Sequence, residues 1–442
     1  MSTPMGFLGS RYFSLSLRSI KRKEMDNLTE FVISHMEDDV TRLVLDKAKW
    51  PGIDMELAVS CIESRRKLKG KVQEWYEEPR LIFPRKLSAE QCSSSATGAY
   101  KADFAGEIMS EVKEWRLADL TGGFGVDSWH FSKKASYILY NEMLTDLCEA
   151  AEHNFKILKA DNITISNRIA TSGELTFLKE FKPDIVYLDP ARRGEGGKKV
   201  FLIEDCTPDV LTLKEEIFSH CRHILIKLSP MADITMICER LGSHCREVRI
   251  VATGGECKEL LIWMDREWSG EYKITAVELH NDGNQTFSFT PSEERESITR
   301  LIEKAETEAL INNTNQKYYL FEPGKALMKS GAFNLICSRY GIAKLGKSTH
   351  YYLISDKSGQ SACLKGLGKM FVIEQCMPLD KRSIKALSNA YPKADVTARN
   401  IPMDTDTLRK KLGVTSSDDA HIFGLKSDTF GNILLCTKRV LQ

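Results

Sequence analysis

Short apolar runs alternate with amphipathic stretches from about residue 96 to residue 268. We interpret the apolar runs as buried strands and the stretches between them as helices, because their lengths and periodicities fit those elements. This alternation is typical of a doubly wound, mostly parallel sheet, and it predicts an α/β fold. After a first strand that ends near residue 119, we predict strands at 137–140, 163–165, 185–188, 224–228, 248–252 and 260–264, with helices at 144–155 and 211–218.

The pattern changes on both sides of this region. Residues 27–80 have the spacing of amphipathic helices, whereas residues 273–279 and 285–290 predict a strand pair and residues 293–308 a charged helix. Short strands and short helices alternate after that helix. We therefore predict a helical region at 25–95, an α/β domain at 96–270, a connecting segment at 271–315 and a small α+β module at 316–442.

Two basic segments precede the α/β domain. Residues 1–24 are rich in Ser, Arg and Lys and predict a disordered tail, although a transit peptide or a start at Met25 fits the same composition. The second segment either forms a solvated helix face or contacts phosphates. It consists of Arg65, Arg66, Lys67, Lys69 and Lys71.

Composition excludes several classes of protein. A chain of 442 residues exceeds what one core accommodates, so we expect more than one domain. No apolar run reaches the roughly 18 residues of a membrane helix, so we predict no membrane contact. The 12 cysteines form no CxxC pair, which indicates reduced thiols in a cytoplasmic protein and no structural metal.

Charge is unevenly distributed along the chain. Residues 311–442 contain 20 Lys and Arg against 10 Asp and Glu, so they carry a net charge of +10. The whole chain carries +1, which leaves −9 on residues 1–310. A basic module on an acidic body is typical of a nucleic-acid-binding arm, and a solvated basic surface without a partner is the alternative.

A glycine-rich turn follows an acidic residue in ADLTGGFGVD, residues 118–127. Glycines let a backbone approach a ligand closely. The turn is not a P-loop, because no Lys-Ser/Thr follows, and its spacing is not the dinucleotide fingerprint GxGxxG. What remains is a turn that holds the methionine part of S-adenosylmethionine (SAM). The predicted SAM-binding residues of this turn are Asp119, Gly122, Gly123, Gly125 and Asp127.

Acidic residues also follow later strands of the predicted sheet. Glu142 comes after the second strand, where a carboxylate can accept hydrogen bonds from ribose hydroxyls; capping of the next helix is the alternative. Gly173 and Glu174 follow the third strand, and we place them beside the adenine. Asp189 ends the fourth strand in LDPARR, and packing alone hardly explains a carboxylate there.

These strand-end residues together resemble class I SAM-dependent methyltransferases. Most of the chain is similar to a bacterial methyltransferase family with a ferredoxin-like segment and a C-terminal THUMP-like domain. The motifs that carry this resemblance are LSAEQCSSSATGAYKA (87–102), ADLTGGFGVD (118–127), LDPARR (188–193), IKLSPMADI (226–234) and FEPGKALMKSGAF (321–333). The resemblance implies a Rossmann-like methyltransferase sheet, a ferredoxin-like segment at 271–315 and a THUMP-like domain at 316–442.

The same resemblance implies an RNA substrate, tRNA or rRNA, because THUMP domains in relatives bind RNA. The basic charge of residues 311–442 agrees with this. We expect Arg192 and Arg193 to bind a substrate phosphate, with a plain surface loop as the alternative. In the C-terminal module the candidate RNA contacts are Lys325, Lys329, Arg399, Arg409 and Lys410.

The acceptor atom is a separate question. Methyltransferases of base amino groups carry Asn/Asp-Pro-Pro-aromatic at the end of the fourth strand, and here Ala191 and Arg192 replace the second proline and the aromatic ring. The missing ring puts transfer to an exocyclic amine in doubt. Cys206 is the thiol nearest to Asp189 in sequence, and a buried thiol is favoured over a nucleophile for carbon-5 methylation.

Four charged residues suggest a hydroxyl acceptor instead. The order Lys101, Asp189, Lys227, Glu259 resembles the catalytic tetrad of RNA ribose 2′-O-methyltransferases of the heat-shock type. A buried lysine can deprotonate or orient a hydroxyl, and flanking carboxylates set its charge state. Lys227 is then the base and Lys101 the supporting cation, whereas structural pairing of Lys227 with a carboxylate is the alternative.

The sequence therefore predicts a SAM-dependent methyltransferase that acts on RNA. A methyltransferase of a protein or small molecule, with the C-terminal module as a lid or dimerisation element, is one alternative. A non-catalytic RNA-binding protein that retains the SAM fold is another. The charge distribution disfavours the first alternative, and the acidic strand ends disfavour the second. The sequence fixes no oligomeric state.

Overall fold

A computed structural model of the chain describes residues 22–192, 202–312, 317–355 and 362–440. Arg193 lies outside the described residues, as does most of the predicted tail. The chain divides into two compact units. Residues up to 227 together with 264–267 form the first unit, and 228–263 together with the residues from 268 onward form the second. Among the described residues, every helix is too short or too polar to traverse a lipid bilayer.

Helices fill the N-terminal part of the first unit, as the spacing of apolar residues predicts. They are α1 (Arg22–Ser34), α2 (Val40–Leu45), α3 (Met55–Leu68), α4 (Gln73–Glu77), α5 (Lys86–Gln91) and α6 (Ser95–Ile108). Asp39 and Asp54 cap α2 and α3 by accepting hydrogen bonds from backbone N–H groups. The apolar faces share a core with Phe124 and Val126 of the glycine turn and with Trp129, whose ring meets Trp75 edge to face at 5.9 Å between ring centroids.

The basic cluster of α3 is used largely inside the fold. Arg65 is buried and donates three hydrogen bonds to carbonyl oxygens within residues 76–81. Arg66 and Lys71 each donate two more to carbonyl oxygens of neighbouring segments. These side chains donate to backbone carbonyls that would otherwise need water as a partner. A structural role for the cluster is therefore favoured over contact with phosphates.

A parallel sheet with flanking helices forms the rest of the first unit. Its elements are β1 (Arg116–Asp119), α7 (Val126–Ser132), β2 (Tyr137–Asn141), α8 (Thr145–Ile157), β3 (Ile163–Ser166), α9 (Phe177–Phe181), β4 (Ile185–Leu188), β5 (Ala191–Arg192), β6 (Cys206–Thr207), α10 (Val210–His220) and β7 (His223–Leu228). The strands lie in the order β3-β2-β1-β4-β7 and are parallel. Their carboxyl ends therefore meet at one edge of the sheet.

The second unit contains further strands and short helices. Its elements are α11 (Ile234–Leu241), β8 (Cys245–Thr253), β9 (Glu256–Asp265), β10 (Lys273–Leu279), β11 (Gln285–Phe289), α12 (Pro291–Glu296), α13 (Lys304–Ile311), β12 (Tyr318–Pro323), α14 (Lys325–Ser330), α15 (Leu335–Tyr340), β13 (Ala343–Gly346), β14 (Thr349–Ser355), β15 (Gly368–Pro378), α16 (Lys381–Ala390), β16 (Asp395–Arg399), α17 (Thr405–Leu412), β17 (His421–Ser427) and β18 (Gly431–Arg439). The last two residues of β9 belong to the first unit. Strands β8 to β11 lie in the order β9-β8-β10-β11, and the others form a seven-stranded sheet ordered β13-β14-β12-β15-β18-β17-β16.

The predicted charged helix at 293–308 is wrong in one respect, because two short helices with a break between them replace it. Ile302 is 3% exposed and joins the core beneath the seven-stranded sheet. Ile302 N–H donates a hydrogen bond to the carbonyl of Lys344, and Lys344 N–H donates one to the carbonyl of Arg300. Burial of an isoleucine and this backbone pairing outweigh the helical propensity of the charged residues.

Candidate functional site

A cavity of about 710 Å³ lies at the carboxyl ends of the parallel strands in the first unit. This volume is in the range of small-molecule sites, which is roughly 300–1,000 Å³. The residues that sequence analysis assigned to this edge and that line the cavity are Asp119, Gly122, Gly123, Gly125, Asp127, Glu142, Asp189 and Lys227. The fold therefore brings together side chains that lie up to about a hundred residues apart in the sequence.

The glycine turn is built around two close approaches. A Cβ atom on Gly122 would lie 2.2 Å from the ring of Tyr140, and one on Gly125 would lie 2.5 Å from the ring of Phe155. Gly125 also has a φ of +87°, in the left-handed region that glycine tolerates. Gly123 differs, because little surrounds the position of its missing Cβ. The turn thus needs glycine at positions 122 and 125 for close packing. At Gly123 it leaves unfilled space beside the backbone.

Glu142 holds this turn at the end of β2. Its Oε2 accepts a hydrogen bond from Gly123 N–H at 3.0 Å, and its Oε1 accepts one from Leu144 N–H at 2.9 Å. The second bond satisfies a backbone N–H at the start of α8, as the capping alternative requires. Each carboxylate oxygen has further acceptor capacity, so capping leaves Glu142 able to accept hydrogen bonds from ribose hydroxyls.

Asp119 is a buried carboxyl at the end of β1. Ser128 Oγ donates to its Oδ2 at 2.5 Å, and Thr121 N–H donates to its Oδ1 at 3.0 Å. Burial raises the pKa of Asp119 to about 7, with the charges of Asp127 and Asp189 acting in the same direction and the two hydrogen bonds opposing it. The group therefore changes its protonation state near neutral pH.

Asp189 and Lys227 form an ion pair at the ends of β4 and β7. Lys227 Nζ lies 2.5 Å from Asp189 Oδ2, and the side chains are 14% and 34% exposed. Thr121 Oγ1 accepts a hydrogen bond from Asp189 N–H at 2.6 Å, which ties this strand end to the glycine turn. Lys227 thus pairs with a carboxylate, as the structural alternative to a catalytic role predicts. A charge-assisted pair that faces a cavity can also orient a reacting group.

Lys101 lies in the middle of α6. Its side chain is fully buried, and Nζ is 3.3 Å from Asp127 Oδ1. Lys101 also donates a hydrogen bond to Ser93 Oγ at 2.9 Å. Burial raises the pKa of Asp127, but the charges of Lys101 and Lys227, together with the hydrogen bonds from Tyr187 and Ser93, hold the pKa below its ordinary value.

Several predicted residues lie elsewhere. Among the described residues, 168–172 rather than Gly173 and Glu174 form the wall after β3, and Gly173 N–H donates to Glu216 at 2.7 Å. Glu259 is a buried residue of β9, in the second unit. Cys206 is fully buried, whereas Cys92 lines the cavity. Burial raises the pKa of Cys92, so it is a neutral thiol and a poor nucleophile.

Other residues that shape the cavity were not predicted from the sequence. Asn141 ends β2 and is fully buried. Its Nδ2 donates to Arg168 O at 3.0 Å and its Oδ1 accepts from Arg168 N–H at 3.2 Å, so it fixes the loop that carries residues 168–172. A polar amide at the end of an otherwise apolar strand was the available signal, because such a group is buried only when it is hydrogen-bonded.

The predicted RNA contacts fall into two groups. Lys325, Arg399 and Lys410 are exposed. Lys329 donates to Ala232 O at 2.8 Å, and Arg409 pairs with Asp406 at 3.1 Å. Lys325 and Lys410 are available to a polyanion, whereas Lys329 and Arg409 already have partners within the second unit. The Arg399 guanidinium is exposed but also lies 5.9 Å from the centre of the Tyr351 ring. Arg192 is described only as backbone, in β5.

Comparison with protein families assigns the C-terminal part of the chain. Residues 319–358 match a ferredoxin-like domain and residues 368–439 match a THUMP domain-like family. The ferredoxin-like match lies after the 271–315 segment that the sequence analysis assigned to it, and both matches lie within 316–442. A search of curated protein sequences found no match to this chain.

One solved structure superposes on nearly the whole chain. A crystal structure of a candidate methyltransferase from Porphyromonas gingivalis W83 superposes with a TM-score of 0.82 and 29% sequence identity, over 96% of this chain and 100% of that one. A modification subunit assigned to a type I restriction enzyme from Vibrio vulnificus YJ016 has a TM-score of 0.32 and 10% identity, over 46% and 56% of the two chains. An rRNA methylase from Streptococcus thermophilus has a TM-score of 0.28 and 11% identity, over 37% and 94%. The last two scores are too low to carry an argument.

These findings confirm the predicted architecture. The chain has a mixed α/β fold that it shares, over nearly its full length, with the candidate methyltransferase from Porphyromonas gingivalis W83. It carries a ferredoxin-like domain and a THUMP-like domain in its C-terminal part.

Proposed function

We propose that the first unit binds SAM and transfers its methyl group to RNA, which the basic C-terminal module holds. The observation that carries the proposal is the convergence of Asp119, Glu142 and Asp189 on one cavity. They come from three neighbouring parallel strands, at the edge where nucleotides bind in sheets of this kind. The full-length likeness to a candidate methyltransferase supports the reaction class.

The cavity fits the chemical groups of SAM. Glu142 offers two carboxylate oxygens with remaining acceptor capacity for ribose hydroxyls. The unfilled space beside the Gly123 backbone lets the methionine part of SAM lie close to that backbone. Asp119, Asp127 and Asp189 place carboxyl oxygens on the cavity wall, where they can accept hydrogen bonds from the ammonium group of the methionine part.

The chemistry at the acceptor falls to Asp189 and Lys227. SAM supplies a methyl group on a sulfonium leaving group, so positioning of the acceptor provides much of the rate enhancement. Asp189, rather than the Lys227 expected from the sequence, accepts a hydrogen bond from the acceptor and takes its proton, because Lys227 Nζ is already engaged with Asp189 Oδ2 at 2.5 Å. Such a pair suits a ribose 2′-hydroxyl, in line with the resemblance of the Lys-Asp-Lys-Glu set. Lys101 and Glu259 remain predicted members of that set.

RNA as the substrate class rests on charge and on the THUMP-like match. Residues 311–442 carry a net charge of +10, and the THUMP-like match lies within them. A polyphosphate backbone is the natural partner of such a surface. A protein or small-molecule acceptor would give the excess cations no comparable role.

Incubation of the purified protein with radiolabelled SAM and total RNA from cells that lack it tests the proposal. We expect label in RNA, and nucleoside analysis then identifies the modified atom. Lys227→Met should reduce transfer by about a hundredfold or more, because Asp189 loses the cation that orients it and general acid–base catalysis contributes roughly 10²–10⁴. As a matched control, Lys258→Met removes an exposed lysine that also lies 2.5 Å from a carboxylate, that of Glu256, and should leave transfer unchanged.

Each other outcome has a clear meaning. Label that appears only in protein would contradict the RNA substrate and favour the protein-methyltransferase alternative. Binding of RNA without any SAM binding would favour a non-catalytic RNA-binding protein. Full activity of Lys227→Met would contradict the role of the Asp189–Lys227 pair.

A further inference from the structure

Two lysine–aspartate pairs join α6 to α7 and the residues just after it, and they differ in burial. In the first pair, Lys101 Nζ lies 3.3 Å from Asp127 Oδ1, with a fully buried lysine and a carboxylate only 10% exposed. In the second pair, Lys134 Nζ lies 2.7 Å from Asp103 Oδ1, and about half of each side chain is exposed. The two pairs connect the same part of the fold with the same residue types.

The buried pair belongs to a hydrogen-bonded group of four side chains. Ser93 Oγ accepts a hydrogen bond from Lys101 Nζ and donates one to Asp127 Oδ2, each at 2.9 Å. The hydroxyl of Tyr187, on β4, donates to the same Asp127 oxygen at 2.8 Å. The group therefore links the start of α6, the first turn of α7 and the strand that ends at Asp189.

Two members of this group form part of the cavity wall. Asp127 and Ser93 line the cavity, whereas Lys101 lies behind them, with none of its surface exposed. Asp127 comes two residues after Gly125, so its position fixes where the glycine turn passes into α7. A displacement of the Asp127 side chain would change the shape of the cavity next to the turn.

Charge makes this group sensitive to the loss of either partner. A buried ion that loses its counter-ion is strongly destabilised, while removal of both charges together is often tolerated. Without Lys101, Asp127 keeps two hydroxyl donors but loses one of the two cations that offset burial. Without Asp127, Lys101 is a buried ammonium that keeps Ser93 and loses a counter-ion.

We infer that Lys101 is a positioning residue for the cofactor cavity, acting through Asp127 and Ser93. The Lys101–Asp127 pair holds the first turn of α7 against α6 and so fixes one wall of the site. This inference rests on the proposed SAM-binding function. It gives Lys101 a role different from that of a supporting cation at the acceptor.

A double-mutant cycle with two readouts tests the inference. We would measure the SAM dissociation constant by isothermal titration calorimetry and kcat for RNA methylation, for Lys101→Met, Asp127→Asn and the double variant. We expect each single change to weaken SAM binding about tenfold or more, because it removes one charge of the buried Lys101–Asp127 pair and leaves the other in place. The double variant should bind SAM more tightly than either single variant, and its kcat should recover in parallel.

The exposed pair supplies the matched control. Lys134→Met and Asp103→Asn, alone or together, should leave both the SAM dissociation constant and kcat unchanged, because exposed pairs contribute little. Weakening of SAM binding by this pair to the same extent would overturn the inference, since any disturbance between the helices would then suffice.

Other results discriminate further. Single Lys101 and Asp127 variants with unchanged SAM affinity would overturn the inference. A double variant with restored SAM affinity but kcat still reduced would instead support a direct catalytic role for Lys101. Failure of the unchanged protein to bind SAM would refute the proposed function itself. If the single variants fail to fold, Tyr187→Phe removes one hydrogen bond to Asp127 and leaves the ion pair. We expect this variant to weaken SAM binding several-fold, and unchanged affinity would count against the group.

Discussion

Among single residues, Asp119 makes the charge of the cavity wall depend on pH. Its pKa is raised to about 7, chiefly by burial, whereas the ordinary value is 3.8. The folded protein therefore binds a proton at this group between about pH 4 and pH 7 that the unfolded chain has released. The stability that the group contributes is complete below about pH 4 and is lost as pH rises towards 7. A bound cation has the opposite preference, because it favours the ionised carboxylate.

SAM affinity should accordingly depend on pH. For the unchanged protein we expect the association constant to rise by up to about tenfold per pH unit below pH 7 and to level off above it, because binding displaces one proton. Asp119→Asn keeps the shape and removes the titration, so its affinity should be nearly independent of pH over that range. Isothermal titration calorimetry between about pH 5.5 and pH 8 measures both, and equal slopes for the two proteins would assign the pH dependence to another group.

At the scale of elements, the glycine turn is fixed by its two aromatic neighbours. Tyr140 is fully buried, and its hydroxyl donates to Gly123 O at 2.5 Å, so the ring cannot move aside without losing that bond. A side chain at Gly122 must displace the ring or the turn, because its Cβ would lie 2.2 Å away. The turn and the second strand therefore behave as one packed element.

Gly122→Ala should weaken both the fold and the site. We expect the free energy of unfolding to fall by about 1–3 kcal/mol, the usual cost of overpacking, and SAM affinity to fall about tenfold or more. Gly106→Ala is the matched control, because a Cβ at this position in α6 meets open space. It should leave SAM binding unchanged and raise stability by up to about 1 kcal/mol. Chemical denaturation and calorimetry measure the two effects, and equal behaviour of the two variants would contradict the packing argument.

The strands that carry the site could be predicted because local sequence encodes them. Buried parallel strands such as Ile185–Leu188 are continuous apolar runs, and their ends are marked by polar residues. The environment of Lys101 could not be predicted in this way. Its contact with Asp127 joins α6 to α7, and no local pattern states which helices lie side by side. Likewise, the hydrogen bonds of Arg65 depend on a chain reversal between α3 and residues 76–81.

At the scale of the whole molecule, the basic side chains that the structure describes fall into two groups, those that bind other protein groups and those that are exposed to a ligand. In the second unit Lys329 and Arg409 have partners, whereas the exposed face of α16 carries Lys381, Arg382 and Lys385. Sequence composition predicted an excess of positive charge, but only the fold identifies which side chains a polyanion can reach. Lys385 lies four residues after Lys381 and three after Arg382, and residues at these spacings are neighbours on a helix surface, so the three cations form one surface.

Neutralisation of this surface should weaken RNA binding without affecting SAM. For the triple variant Lys381→Gln, Arg382→Gln, Lys385→Gln we expect at least a tenfold lower RNA affinity at low salt. The slope of log K against log salt should fall by roughly 0.7–0.9 for each phosphate contact removed. Fluorescence anisotropy over a salt series measures both quantities.

An equal reduction of charge elsewhere separates a specific surface from net charge. Lys113, Lys159 and Lys179 are exposed in the first unit, and their replacement by Gln removes the same three charges. This control should change RNA affinity little and leave the salt slope intact, because it removes no phosphate contact. Equal losses in the two triple variants would mean that RNA responds only to total charge. Loss of affinity confined to the α16 variant would identify this helix as an RNA-contacting surface.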